Sequence, residues 1–147
     1  MKRILLAVAA LSVTLLAGCA TVPMASPEAD TRAKSFATVP TKANIYIYRN
    51  ESFGGAIKMT VSMNGKVLGQ TGPRSYLFAQ VDPGKYEIAS LTENTSTITI
   101  DAQPDKNYFV WQEVKMGAWS ARSQLLLMDE ASGRKGVEEC TLAVTTP

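Results

Sequence analysis

The chain has 147 residues, with 15 lysines and arginines against 13 aspartates and glutamates, a formal charge of +2 and 46% apolar residues; this is the make-up of one small globular domain, not of a disordered or fibrous chain. It contains no histidine, so Ser-His-Asp and Cys-His catalysis are excluded and zinc sites lose their usual donor. The basic excess is Lys2 and Arg3. The remaining 13 basic and 13 acidic residues cancel, and without a basic run to meet phosphates a nucleic-acid partner is excluded.

Behind Lys2 and Arg3, Ile4 to Leu16 is a run of 13 residues without a charge. Crossing a bilayer core takes about 20 apolar residues, so this run is too short for a permanent span; a positive start, a short apolar core and small residues after it describe a secretory signal peptide. Leu16, Ala17, Gly18 and Cys19 follow at once and resemble the lipobox of bacterial lipoproteins. The resemblance implies that residues 1–18 are removed and that Cys19 becomes an N-terminus acylated with chains such as palmitate. The alternative is an ordinary signal peptide cut nearby, with Cys19 incidental. Two or more acyl chains, at about 0.8 kcal/mol per buried methylene, hold a protein on a membrane, so the expected partner is a lipid bilayer reached through Cys19. The next residue is Ala20 and not aspartate, which by the same resemblance implies lipid anchoring in the outer membrane, facing the periplasm of a Gram-negative cell envelope.

From residue 19 to 41 the chain is rich in Ala, Ser, Thr and Pro without apolar periodicity, and it reads as a flexible tether averaging roughly 25 Å. Residues 42–147 read as the folded domain. Asn44 to Arg49 is β-branched and aromatic; Ile57 to Met63 alternates and runs into Asn64-Gly65 and then Lys66 to Gly69, the strongest short-range signal for a β-hairpin. Ser75 to Val81 and Tyr86 to Leu91 flank Asp82-Pro83-Gly84-Lys85, whose spacing suits a type II turn. Ser96 to Asp101, Tyr108 to Val114 and Trp119 to Met128, which ends in Leu125-Leu126-Leu127-Met128, complete the strands. The tail from Asp129 to Cys140 is a short helix or irregular, since Gly133 and Gly136 disfavour helix. About seven or eight short strands at roughly ten-residue spacing predict an all-β fold, an antiparallel β-sandwich of the immunoglobulin-like or transthyretin-like kind.

Ile45-Tyr46-Ile47-Tyr48-Arg49, the Asn64-Gly65-Lys66 turn, Tyr76-Leu77-Phe78, Asp82-Pro83-Gly84-Lys85-Tyr86 and Asn107-Tyr108-Phe109-Val110, in this order, resemble the bacterial lipoprotein family catalogued as domain of unknown function 2846. The resemblance covers about Lys42 to the end. It implies a secreted, often lipid-anchored β-rich domain, and it assigns no catalytic residue.

The carboxylates Asp82, Asp101, Asp105, Asp129, Glu138 and Glu139 lack calcium-loop spacing, so no enzyme activity, metal or cofactor is expected. With Cys19 acylated, Cys140 is either a buried small side chain or an intermolecular disulfide partner. Alternation sets Ile45 and Ile47 against Tyr46 and Tyr48, and Tyr108 and Val110 against Phe109 and Trp111. One of these faces is core; the other needs a cover, either from the chain itself or from a glycan, peptide or envelope protein. Tyr46, Tyr48, Trp111 and Trp119, with Arg49 and Arg122 as polar partners, are the candidate binding residues. The function expected from these readings is that of a cell-envelope lipoprotein whose sandwich is a non-catalytic binding or structural module. An alternative is an assembly protein that pairs through a sheet edge, and a small periplasmic enzyme is a third.

Overall fold

The computed structural model describes residues 21–55 and 57–146. The signal-peptide and lipobox readings at residues 1–18 and Cys19 lie outside them. Nine strands form two sheets: β1 (Ala43–Arg49), β4 (Ser75–Val81), β7 (Lys106–Lys115), β8 (Arg122–Met128) and β9 (Thr141–Leu142) in the order β8-β7-β1-β4-β9, and β2 (Met59–Met63), β3 (Lys66–Thr71), β5 (Gly84–Leu91) and β6 (Thr95–Ala102) in the order β3-β2-β5-β6. The expected all-β sandwich is therefore observed. Most pairs are antiparallel, but β1 runs parallel to β7, and β4 parallel to β9. The Asn64-Gly65 turn joins β2 to β3 with φ of 49° and 77°, the left-handed pair that a two-residue hairpin demands. Asp82-Pro83 instead carries the chain from one sheet to the other, since Gly84 already opens β5.

Between the sheets, Ile45, Ile47, Val61, Leu77, Ile88, Ile100 and Val110 form the main core. Each fully buried aliphatic side chain contributes roughly 1.5–3 kcal/mol. Strand β1 is buried along its whole length, because its other face, with Tyr46 and Tyr48, lies in a second apolar cluster with Tyr76, Phe109, Ala33, Phe36, Val137 and Leu142.

The residues of that second cover correct the tether reading. Residues 22–36 are folded onto the sheet: Val22, Ala33 and Phe36 are buried, and α1 (Pro27–Ala33) starts at Ser26, whose side chain accepts from the Ala29 amide. Ala25, Ala29, Ala33 and Phe36 face the aromatic cluster, a stripe at helical spacing that alanine's small apolar surface renders almost invisible to a hydropathy pattern. Asp30 fastens the helix. Burial alone would raise its pKa, but hydrogen bonds from Lys34, the Tyr76 hydroxyl (2.8 Å) and the Leu142 amide (3.0 Å) prevail and hold its carboxyl below the usual range. The Tyr46 hydroxyl donates to the Ala33 carbonyl at 2.8 Å.

The tail forms α2 (Glu130–Glu138), capped by Asp129, whose carboxylate accepts from the Ser132 amide at 2.9 Å. Gly133 and Gly136 do not break it; they let it lie flat on the aromatic face. A Cβ on Gly133 would overlap the Phe109 ring, and one on Gly136 the Tyr48 ring. Both sides of the sandwich are also stitched. Met24 bridges Ala143 and Thr145 bridges Gly69, while Asn94 and Ser96 side chains accept from the Ser123 and Leu125 amides of β8, each at 3.0 Å.

Gly133→Ala and Gly136→Ala each add a better helix former, by roughly 1 kcal/mol, yet overpacking of this kind typically costs about 1–3 kcal/mol. Chemical denaturation will show both variants less stable than the parent, while Lys135→Ala on the exposed side stays within about 0.5 kcal/mol.

Candidate functional site

Alternation carried to the ends of β1 and β7 turns the sandwich interior polar at one end. The inward series is Ile45, Ile47, Arg49 on β1 and Val110, Gln112 on β7, and both Arg49 and Gln112 are fully buried. Gln112 accepts from the Thr71 hydroxyl at 2.5 Å and donates to Ser90 at 2.6 Å, and the Ser90 and Ser123 hydroxyls lie 2.6 Å apart. These bonds satisfy polar groups that burial would otherwise penalise by roughly 1–3 kcal/mol each.

Arg49 is a structural plug and not an exposed ligand partner. Its guanidinium donates to the carbonyls of Ile57 and Gly54 at 2.7 Å and of Phe53 at 3.4 Å, so it pins the loop between β1 and β2 through backbone. Burial lowers its pKa, and the nearby Glu51 carboxylate works against that shift. At the same end the loop between β7 and β8 is pinned by a single carboxylate. Glu93 accepts from the amides of Ala118 (3.0 Å), Trp119 (2.9 Å) and Ser120 (2.7 Å), which hold its pKa below the usual value of 4.5, with Arg122 nearby at 3.8 Å.

The side chains on these two pinned loops point outward. Phe53 is 55% exposed, Met116 80% and Trp119 96%, and they border a shallow cavity of about 270 Å³ with Ile57 and Ala118. Large apolar side chains on loops whose backbone is held by charged groups form a preorganised contact surface.

The six candidate binding residues are thus divided. Trp119 and Arg122 stand at this loop end. Tyr46 and Tyr48 are covered by α1, Phe36 and α2 and are not a stacking surface; the cover they need comes from the chain. Tyr46 stacks on Phe109 at 5.0 Å between centroids with 13° between planes, and burial pushes the Tyr46 and Tyr48 hydroxyls up to about 12. Trp111 is half-buried on the same face and borders, with Tyr48, Met128, Ser132 and Glu139, a cavity of about 290 Å³ under α2. Phe53, Met116 and Glu93 were not among the sequence candidates. The readable signal was Met116-Gly117-Ala118-Trp119 in a connection, where polar residues are usual.

Cys140 is buried, its Sγ donating to the Gly136 carbonyl at 3.3 Å, and burial pushes the thiol up to about 12. A buried small side chain, not a disulfide partner at the surface, is its role. Among the described residues no group of three or more Cys, Asp or Glu is arranged to hold a metal ion.

The fold and this loop end describe a small β-sandwich with one helix-covered face and an apolar contact surface at the ends of its strands. The chain belongs to the family of proteins of unknown function DUF2846, whose model matches residues 40–124. It is also 34% identical over 134 residues to an uncharacterized protein of Haemophilus influenzae, a match covering 89% of this chain and 79% of that protein.

Two measurements check the site. In a Trp111→Phe background, where Trp119 is the sole tryptophan, its fluorescence anisotropy will hold steady above pH 4.5 and fall below it. The sign follows from the lowered folded pKa: Glu93 contributes fully above its unfolded value of 4.5 and is lost as acid protonates it. In a Cys19→Ser variant, Cys140 is the sole thiol and will react with an aromatic disulfide reagent at the rate of global unfolding. On a non-reducing gel the variant will run as a monomer.

Proposed function

We propose that this protein is a cell-envelope lipoprotein, acylated at Cys19, whose periplasmic β-sandwich acts as a non-catalytic binding or structural module. The observation that carries this reading is the sequence Leu16-Ala17-Gly18-Cys19 directly behind a positive start and 13 uncharged residues. Among the described residues no helix is long and apolar enough to cross a membrane. Among the described residues the first buried one is Val22, and every contact described above is made by residues beyond the proposed cleavage point. The processed chain has 147 − 18 = 129 residues with 13 basic and 13 acidic side chains; attachment is by acyl chains and not by charge. With Ala20 following the cysteine, the inner leaflet of an outer membrane is the address this reading favours.

A non-catalytic role is supported by how the buried and perturbed groups are used. Arg49, Asp30 and Glu93 each hold backbone or hydroxyl groups of this chain, a structural use and not that of a catalytic acid or base, and the carboxyl of Glu51, pushed up by burial, accepts from the Val114 amide. Association through a free sheet edge is the weaker reading, because the edges of β3 and β9 are bridged by the terminal segments, while the other two edge strands, β6 and β8, meet each other through the Ser96 hydroxyl and the Leu125 amide.

Metabolic labelling with a palmitate analogue and envelope fractionation test the anchor. The parent will carry label and sediment with membranes, whereas Cys19→Ser will lose the label, accumulate unprocessed and leave its mature form absent. Unchanged processing and membrane association of that variant would sink the proposal.

A further inference from the structure

We propose that the loop end of the sandwich lies on the bilayer itself, with Trp119, Met116 and Phe53 set into the boundary between headgroups and acyl chains. This inference rests on the anchor at Cys19 and adds an orientation and a contact surface to it. Three observations lead to it.

The first is the position of the chain's entry into the fold. Thr21, Val22 and Met24 border one cavity with Ser52, Gly55, Gly72 and Pro73, and Ser52 and Gly55 belong to the loop that presents Phe53. Only Ala20 separates Cys19 from Thr21, a reach of two residue steps, at most about 7 Å even when extended. Since residues 22–36 are folded onto the sheet, no long tether holds the domain away from the lipid. An acylated Cys19 therefore draws this end of the sandwich, and not the Asn64-Gly65 end, against the membrane.

The second is the chemistry of the surface so drawn. Trp and Phe are among the residues that settle at a membrane interface, and here Trp119 and Phe53, with the apolar Met116, project from both loops at 96%, 55% and 80% exposure. Among the described residues nothing covers them, in contrast to the aromatic face of the five-stranded sheet, which has two helices over it. The third is rigidity. Arg49 and Glu93 fix the two loops through backbone, so inserting the side chains orders little that is not ordered already.

Charge has a small part in this contact. Lys115 pairs with Glu113 at 2.8 Å and Arg122 with Glu93 at 3.8 Å, so the nearest cations are partly neutralised by their own chain. The anchor already holds the domain at the surface, so even weak insertion gives a mostly docked population through high effective concentration.

The test uses the mature lipidated chain reconstituted in phosphatidylethanolamine and phosphatidylglycerol vesicles. With Trp111→Phe, emission reports Trp119 alone; a bimane on Met116→Cys and another on Lys66→Cys give a second readout that does not depend on Trp111, the buried Cys140 staying unlabelled. Docking predicts that shallow brominated lipids quench Trp119 and the Met116 probe at least two-fold. The Lys66 probe, at the opposite end of β2 and β3, stays unquenched, and 0.5 M salt changes the result by less than 1.5-fold. Trp119 emission that remains water-like and open to iodide, in protein that floats with the vesicles, overturns the docking while leaving the anchor standing. Shielding from iodide without quenching by brominated lipid overturns it in favour of a protein contact, either a second copy or another chain. Failure to acquire lipid and float at all overturns the anchor, and the docking falls with it.

Discussion

The central strand β1 is buried along its whole length, and because its two faces carry different side chains it needs two different covers. Aliphatic Ile45 and Ile47 meet the second sheet, which the β2-β3 and β5-β6 hairpins supply. The bulky, hydroxyl-bearing Tyr46 and Tyr48 need a cover that approaches closely and still satisfies phenols. Helices from the two ends of the domain do this: α2 comes close because Gly133 and Gly136 have no side chain, and α1 offers the Ala33 carbonyl to Tyr46. Asp30 then ties α1 to β4 and β9 at once.

From this double burial follows the place where the chain enters the fold. A segment recruited to cover β1 cannot also be a spacer. The domain begins within three residues of Cys19, at the end where β1 and β7 finish and where the interior has become polar. There the need to satisfy buried Arg49 recruits the carbonyls of the β1-β2 loop, and the amides of the β7-β8 loop recruit Glu93. The same bonds that close the core thus hold Phe53, Met116 and Trp119 in fixed exposure. Structure and surface are two consequences of one end of the sandwich.

Much of this was legible in the residues. Most strands of the domain read correctly because β-branched and aromatic alternation is a strong local signal, and Asn64-Gly65 specified its hairpin through the sign of φ; the strand expected from Trp119 instead begins at Arg122, because Glu93 holds the Ala118, Trp119 and Ser120 amides in a loop, and two-residue β9 is too short to show a period. The requirement that the tyrosine face be covered was also readable, but its cover was not: Ala25, Ala29 and Ala33 are too small to mark an apolar stripe, and Gly133 and Gly136 read as helix breakers when their role is close approach to Phe109 and Tyr48. Arg49 read as a surface partner because buried arginines are rare, and only the carbonyls gathered around it account for its position.

The sequence by itself determined the all-β class, the domain that belongs to a shared family and the absence of histidine chemistry. Those properties are local or compositional. The tertiary structure alone decided that residues 22–36 are part of the fold, that four aromatic candidates divide into covered Tyr46, Tyr48 and Trp111 and open Trp119, and that Phe53 and Met116 join Trp119. The physical reason is that exposure is a property of what lies opposite a side chain, and what lies opposite a residue here comes from segments up to 112 positions away, as the Leu142 amide donates to Asp30.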